Sequence, residues 1–162
     1  MDAGEKPRMP TLLKQAARLW RPFLSAADKA RIVAAVDESE RRTSGEIHVH
    51  VVARTGARDI LACARSKFHR LGLGRNARNS VLILVAHLDR EFAIWGGEGL
   101  HAKSGEQLWQ HASQVLAAQF AAGRYVDGIE ACVREVGAEL ARHFPRRDGA
   151  GRSRPADAVT GS

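Results

Sequence analysis

The chain has 162 residues, of which 44% are apolar and 27% are charged, so it suits one globular domain and excludes a disordered or fibrous protein. Two cysteines are too few for a disulfide-stabilised scaffold, and the longest apolar run, residues 81–88, is far shorter than the roughly 20 residues of a membrane-spanning helix. The net charge of +7 lies mostly at the two ends of the chain. These features predict a cytoplasmic, soluble domain at residues 24–145, between a leader (1–23) and a disordered basic tail (146–162).

The first part of the chain predicts two helices and a strand. Residues 11–21 of the leader combine apolar and basic positions and predict a short amphipathic helix. Ser25 and Asp28 form a capping-box-like pair that opens a second helix over residues 25–43. Apolar and polar residues then alternate over residues 46–53, which is typical of a strand with two different faces. One face carries Ile47, Val49 and Val51, and the other carries Glu46, His48 and His50.

The rest of the chain predicts two more strands and three more helices. A loop rich in glycine and arginine, residues 72–79, precedes a continuous apolar run that is typical of a buried central strand. Leu88, Asp89 and Arg90 predict a turn, so the next strand pairs back as a hairpin. A capping box at Ser104 opens the first of two closing helices. The predicted elements are a helix over residues 58–71, strands over 81–87 and 91–95, and helices over 104–121 and 124–143.

The order of these elements predicts an α/β fold. A helix joins the first two strands, which favours a right-handed parallel crossover between them. The tight turn makes the third strand antiparallel to the second. The result is a three-layer-like sandwich in which about four helices flank a small mixed β-sheet.

Four segments of the sequence carry motifs that, taken in order, resemble those of one protein family. LSAADKARIVAAVDESERRTSGEIHVHVVA contains a capped helix, a turn and a strand, and FHRLGLGRNARNSVLILVA contains a Phe-x-x-x-Gly-x-Gly loop with an Asn before an apolar strand. LDREFAIWGGEGLHAK joins an Asp-Arg hairpin to Gly-x-Gly-Leu, and FAAGRYVDGIEACVREVGAEL contains Phe-x-x-Gly-x-Tyr-x-x-Gly-Ile. In this order the segments resemble the TPM-domain family over residues 24–145. The match is closest to the short, cytoplasmic branch of the family, which lacks signal and membrane segments.

The resemblance implies a TPM-domain fold and two contrasting kinds of activity. Some members are described as acid-phosphatase-like and bind a divalent metal, whereas others act as accessory or assembly factors. A calcium or magnesium site needs several oxygen ligands, and this chain lacks acidic residues that the family often has. Leu88 replaces the first Asp of the hairpin, Trp95 replaces a Glu on the third strand, and residues 101–104 are neutral or basic.

A candidate face for a ligand or partner lies in the loops at one edge of the sheet. Asn79 precedes the second strand and Glu98 follows the third, so an antiparallel hairpin brings them to the same edge. The candidates on this face are Asn79, Gly97, Glu98, Gly99, Lys103, Arg75 and Arg78. Asp89 and Arg90 belong to the turn at the opposite end and are secondary candidates.

The histidines of the first strand have two interpretations. His48 and His50 share a face, and a His-x-His pair can bind a transition metal if His87 or His101 converges on it. The default interpretation is a polar strand face that a helix or solvent covers. No metal is therefore predicted at this position.

Two basic segments could bind anions. Residues 97–104 nearly match a P-loop, but Ala102 stands where the motif needs glycine, which leaves an anion-binding helix start near Lys103 as the alternative. The stretch from Arg65 to Arg78 could contact phosphates, although aromatic stacking partners are sparse there and a solvated face is the default. No specific binding of nucleic acid is predicted.

These patterns favour a non-catalytic TPM-type accessory domain that binds a protein partner and needs no cofactor. The resemblance implies LemA-type proteins or membrane-anchored TPM relatives as the partners. The alternative is a divergent metal-assisted phosphatase that holds calcium or magnesium with Asn79, Glu98 and Asp89. A second alternative is a weak polyanion binder that uses the basic charge of the chain.

Overall fold

The computed structural model describes residues 23–56, 58–73, 79–146 and 159–161. The helices are α1 (Ala26–Glu40), α2 (Ile60–Arg70), α3 (Glu98–Ala121) and α4 (Tyr125–His143). The strands are β1 (Glu46–Val52), β2 (Ser80–Ala86), β3 (Glu91–Gly96) and β4 (Val159–Gly161). The predicted α/β class and element order are confirmed for residues 24–145, whereas the predicted leader helix lies outside the described residues.

The strands form one mixed sheet in the order β3-β2-β1-β4. β1 lies parallel to β2, with Val49 opposite Ile83, and the hairpin sets Ile83 opposite Ile94 on β3. The parallel crossover and the antiparallel hairpin are both as predicted. The helix between β1 and β2 explains the parallel pairing, because parallel neighbours cannot be joined by a tight turn.

The two faces of the sheet pack against different helices. The main core lies on the face of Ile47, Val49 and Val51, where residues of α1, α3 and α4 join it. The opposite face carries a small cluster that includes Leu84 of β2 and Ala64 of α2. The three layers are therefore α2, the sheet, and the group of α1, α3 and α4. The predicted faces of β1 are confirmed, because alternate side chains of a strand point to opposite sides.

Helix α1 begins as the sequence predicts and ends earlier. The Ser25 hydroxyl accepts a hydrogen bond from the N–H of Asp28 (3.0 Å), and the Asp28 carboxylate accepts one from the N–H of Ser25 (3.0 Å). At the other end, the buried Glu40 carboxylate accepts a hydrogen bond from the N–H of Ile47 (2.7 Å). Thr43, predicted in the helix, instead forms an isolated bridge with Pro145.

Helix α3 begins at Glu98 and not at Ser104, so the capping box predicted at Ser104 is wrong as a helix start. Gly97 has the extended backbone of an N-cap residue, and Glu98 places a carboxylate in the first turn, where it complements the helix dipole. Leu100 is fully buried and fixes this first turn to the core. Residues 98–104 are therefore helical, which removes the predicted loop and its P-loop-like interpretation.

The prediction of a wholly disordered tail is wrong for Val159–Gly161, which form β4 on the free edge of β1. This edge offers unpaired backbone groups, which a further strand can satisfy. A Cβ atom on Gly161 would lie 2.8 Å from the carbonyl oxygen of Val51, so the missing side chain permits the close approach. None of the helices in the described part of the chain combines the length and apolar character needed to cross a membrane.

Candidate functional site

The structure brings Asn79 and Glu98 to the same edge of the sheet, as hairpin geometry predicted. The N–H of Gly97 donates to the carbonyl of Ser80 (2.8 Å), which ties the end of β3 to the start of β2. The Asn79 side chain donates to the Ser44 hydroxyl (3.1 Å), and its carbonyl accepts from the N–H of Glu46. Asn79 therefore joins the starts of β1 and β2, while Glu98 is exposed in the first turn of α3.

Within the described residues, the other residues predicted on this edge do not join Asn79 and Glu98 in a defined site. Gly99 and Lys103 lie within helix α3. The sequence had placed Lys103 at the start of a helix, and this prediction is wrong. Arg75 and Arg78 lie outside the described residues. The helix start that could attract an anion is Gly97, and the carboxylate of Glu98 already occupies its first turn.

Asp89 and Arg90 lie at the opposite end of the hairpin and shape its turn. The Asp89 carboxylate accepts hydrogen bonds from the N–H of Thr55 (2.9 Å) and from the Arg54 guanidinium (2.9 Å). The hydrogen bond from Thr55, helped by Arg54, holds the pKa of Asp89 below its ordinary value. Arg90 has a φ of 55°, a left-handed conformation found at tight turns. Asp89 thus links the β2–β3 turn to the segment that follows β1.

The predicted oxygen ligands therefore form two separate groups. Asn79 and Glu98 lie at one end of the β2–β3 hairpin, and Asp89 lies at the other. Within the residues that the structure describes, no group of three or more His, Cys, Asp or Glu side chains is placed to hold a metal ion.

The two histidines of β1 are buried beside the tail strand. His48 and His50 are 8% and 5% exposed, and one ring nitrogen of each contacts the Thr160 hydroxyl. The other ring nitrogen of His50, Nε2, has no hydrogen-bond partner among the described residues. Burial, together with the charges of Lys67 and His48, lowers the pKa of His50 to about 4. His50 is therefore neutral at physiological pH.

A cavity of about 170 Å³ opens between α2 and the carboxyl ends of β1 and β2. We call it the basic cleft, because four of its lining side chains are cationic. Its floor is formed by Val52 and Leu84, and Leu84 is the register partner of the buried His50. The lining residues are Val52, Arg54, Thr55, Arg58, Cys63, Ser66, Lys67, Arg70 and Leu84.

Sequence reasoning found only part of this cleft. Lys67 and Arg70 were recognised in a basic stretch whose default interpretation was a solvated face. Arg54 and Arg58 were missed, as was the cavity itself. Their positions in the sequence could have identified Arg54 and Arg58 as candidates. Both follow the carboxyl end of β1, and α/β proteins bind ligands at this end of parallel strands.

A sequence model of the TPM domain matches residues 21–139, which is most of the chain. The chain belongs to the TPM-domain family. This TPM domain has the fold of the BA42 protein from the psychrophilic bacterium Bizionia argentinensis, with a TM-score of 0.80 and 29% identity over 88% of this chain and 97% of that chain. The resemblance inferred from the four sequence segments is therefore confirmed. No curated protein sequence matches the chain at a significant level.

Two more distant solved structures share the fold of this TPM domain. The N-terminal domain of the cg2496 protein from Corynebacterium glutamicum has a TM-score of 0.61 and 17% identity, covering 81% of this chain and 79% of that chain. The N-terminal domain of a protein from P. gingivalis has a TM-score of 0.61 and 18% identity, covering 77% of this chain and 83% of that chain. At such identities the likeness is one of fold alone.

Proposed function

We propose that this TPM domain is a non-catalytic accessory domain of the cytoplasm that binds a protein partner without a cofactor. The observation that supports this proposal is the division of the predicted oxygen ligands between the two ends of one hairpin. A divalent cation needs several oxygens that converge on one point. Here Asn79 joins two strands and Asp89 closes a turn, so both side chains serve the fold.

The partners we propose are LemA-type proteins or membrane-anchored TPM relatives, which the family resemblance suggests. The partner surface we propose is the edge that carries Gly97 and Glu98. Glu98 is exposed there, and its carboxylate is available to a partner without disturbing the sheet. The free thiols of Cys63 and Cys132 suit the reducing conditions of a cytoplasm.

The test is co-purification of the tagged domain with each proposed partner after co-expression. We expect retention of a partner by the wild type and its loss in Glu98→Lys, because the substitution reverses the charge of the proposed surface. Glu91→Lys is the matched control, since Glu91 is equally an exposed glutamate but lies at the other end of β3. Equal retention by both variants, or no retention by the wild type, would contradict the proposal.

A second experiment distinguishes the proposed non-catalytic domain from a metal-assisted phosphatase. We expect no hydrolysis of p-nitrophenyl phosphate when calcium, magnesium, manganese or zinc is added. We expect the same result when a chelator removes these ions. A thermal-shift titration with the same ions should also leave the melting temperature unchanged, because a ligand that binds the native state raises it. Hydrolysis that disappears with a chelator and in Glu98→Gln would establish the phosphatase and overturn the proposal.

A further inference from the structure

The outer edge of β1, which we call the β1 edge, lies on the side of the sheet away from β3 and from the surface that carries Glu98. At the start of this edge the N–H of Ile47 donates to the buried Glu40 carboxylate (2.7 Å), so a side chain satisfies the backbone there. Further along, Val49–Val51 pair with the tail strand β4 in parallel register. The β1 edge therefore takes an added strand at one defined stretch.

Each residue of the added strand meets a particular feature of the domain. Val159 packs against the main core. The Thr160 hydroxyl contacts Nε2 of His48 (3.0 Å) and Nδ1 of His50. A Cβ atom on Gly161 would lie 2.8 Å from the carbonyl oxygen of its register partner on β1, so a larger residue does not fit without a shift of the backbone. The β1 edge thus selects an apolar residue, a threonine and a glycine, in this order.

The tail strand is a resident that another strand can replace. Val159 and Thr160 are half-buried and Gly161 is exposed, and segments with few buried contacts open at low cost in free energy. The covalent connection through residues 147–158 gives the tail an effective concentration on the order of millimolar at the β1 edge. The tail of a second copy is identical and gains no contact that the resident lacks. A partner segment can also reach Val52, which lies beyond the register of β4.

From this arrangement we propose that the β1 edge is a strand-addition site for a protein partner that presents an extended apolar-Thr-Gly segment, with the tail strand β4 as its intramolecular competitor. In strand addition, backbone hydrogen bonds supply the affinity and alternate side chains supply the specificity. Here the specificity comes from the two histidines that receive the threonine hydroxyl and from the close approach that requires glycine. The site is separate from the surface of Glu98 and adds a second, sequence-selective contact to the domain.

The test is an NMR titration of the full-length, isotope-labelled chain with an acetylated peptide of residues 158–162, AVTGS. Gly161→Val in the chain weakens the resident tail and frees the β1 edge. We expect the peptide to saturate this variant, with shifts concentrated in the amides of β1 and in the imidazole signals of His48 and His50. The wild type should bind the peptide about tenfold more weakly, because its own tail competes. Thr160→Val in the chain weakens the tail independently, so the test does not depend on a single variant.

Matched peptides test the selection of sequence. The Thr160→Val and Gly161→Val forms of the peptide should each bind about tenfold more weakly than AVTGS, because one loses a hydrogen bond and the other meets a carbonyl oxygen. The Ala158→Gly form is the control and should bind like AVTGS, since position 158 precedes the paired residues. Failure of AVTGS to saturate either chain variant, or equal binding of all four peptides, would overturn the proposal.

Dilution of the wild-type chain tests the remaining occupant, the tail of a second copy. We expect the β1 amide signals to stay unchanged from millimolar to micromolar protein, with a monomer in sedimentation, because the tail pairs within its own chain. Signals of β1 that change on dilution, together with a dimer at high concentration, would show that copies exchange tails. That result would overturn the assignment of the β1 edge to a different protein partner.

Discussion

At the scale of the residue, the buried His50 of β1 has a lowered pKa that makes the stability of the fold depend on pH. His50 is 5% exposed, and burial keeps its pKa at about 4, below the value of about 6.5 for an exposed histidine. The unfolded chain therefore takes up a proton at this site before the native state does. Stability is consequently full above about pH 6.5 and falls as the pH drops towards 4.

We expect acidification across this range to remove as much as about 3 kcal/mol from the free energy of unfolding through His50 alone. Urea denaturation at a series of pH values measures the slope. His50→Gln should flatten the slope, and His69→Gln should leave it unchanged, because His69 is exposed on α2. An unchanged slope in His50→Gln would show that His50 does not control this pH dependence.

Asp89 acts in the same direction as His50 but at lower pH, because the folded-state pKa of each group is lowered. Its folded-state pKa is lowered by the N–H of Thr55, so its contribution to stability is present above about pH 3.9 and is lost as the pH falls further. We expect Asp89→Asn to lower the urea midpoint at neutral pH, because the amide loses the charge that faces Arg54. The difference from wild type should shrink in acid. Glu91→Gln at the exposed first residue of β3 is the control, and a difference that persists in acid would refute this role.

At the scale of the element, the contact between α1 and α4 depends on a glycine. A Cβ atom on Gly137 would lie only 2.5 Å from the Cβ of Ser39, so the two helices approach too closely for a side chain there. Alanine favours a helix by up to about 1 kcal/mol over glycine, and overpacking costs about 1–3 kcal/mol. The steric cost is the larger of these two effects.

We therefore expect Gly137→Ala to lower the free energy of unfolding by about 1–2 kcal/mol, despite its better helix propensity. Chemical denaturation measures the change. In a Ser39→Gly background the same substitution should cost less, because the opposing Cβ is gone, and a double-mutant cycle reports this coupling. Strictly additive effects would mean that the two residues do not limit the helix approach.

The tail strand β4 is held to β1 by backbone pairing and by the hydroxyl of Thr160. Thr160 contacts both His48 and His50, so a single side chain joins the tail to the histidine face of β1. We expect Thr160→Val to lower the free energy of unfolding by about 1 kcal/mol, whereas Thr160→Ser should keep most of the stability because it retains the hydroxyl. Urea denaturation and the imidazole NMR signals test this. Identical behaviour of the two variants would exclude the hydroxyl as the link.

At the scale of the whole molecule, the two faces of the sheet are unequally stabilised. The main core joins the sheet to α1, α3 and α4. The cluster beneath α2 is smaller, and in the described part of the chain its buried members are Ala64, Leu84 and Ala93. Regions with fewer buried apolar contacts open more readily. The side of the molecule that holds the basic cleft is thus the weaker side.

We expect native-state hydrogen exchange to show this asymmetry directly. Amides of α2 should exchange through local opening, faster than those of β2 and α4, which should exchange only through global unfolding. Ile83→Ala, in the main core, should accelerate exchange throughout the domain, since it lowers the global stability by about 2–5 kcal/mol. Protection in α2 equal to that in α4 would contradict this view of the fold.

Much of this architecture follows from local patterns in the sequence. Alternation assigned the faces of β1, the Ser25 cap located α1, and the turn at Asp89 made β3 antiparallel. Such features depend on hydrogen bonds and burial within a few neighbouring residues, so the sequence alone determines them. The same logic placed Asn79 and Glu98 at one edge, because the hairpin relates the two positions.

Other features were decided only by tertiary structure. The buried Leu100 fixes a first turn of α3 that begins at Glu98. β4 pairs with a strand that is distant in sequence, and Thr160 meets His50 across 110 positions. The basic cleft exists because the end of β1 and one face of α2 pack against each other and leave a space between them. Local sequence determines which residues are cationic. Packing between distant segments determines which of those cations surround a cavity, because that depends on where side chains meet in space.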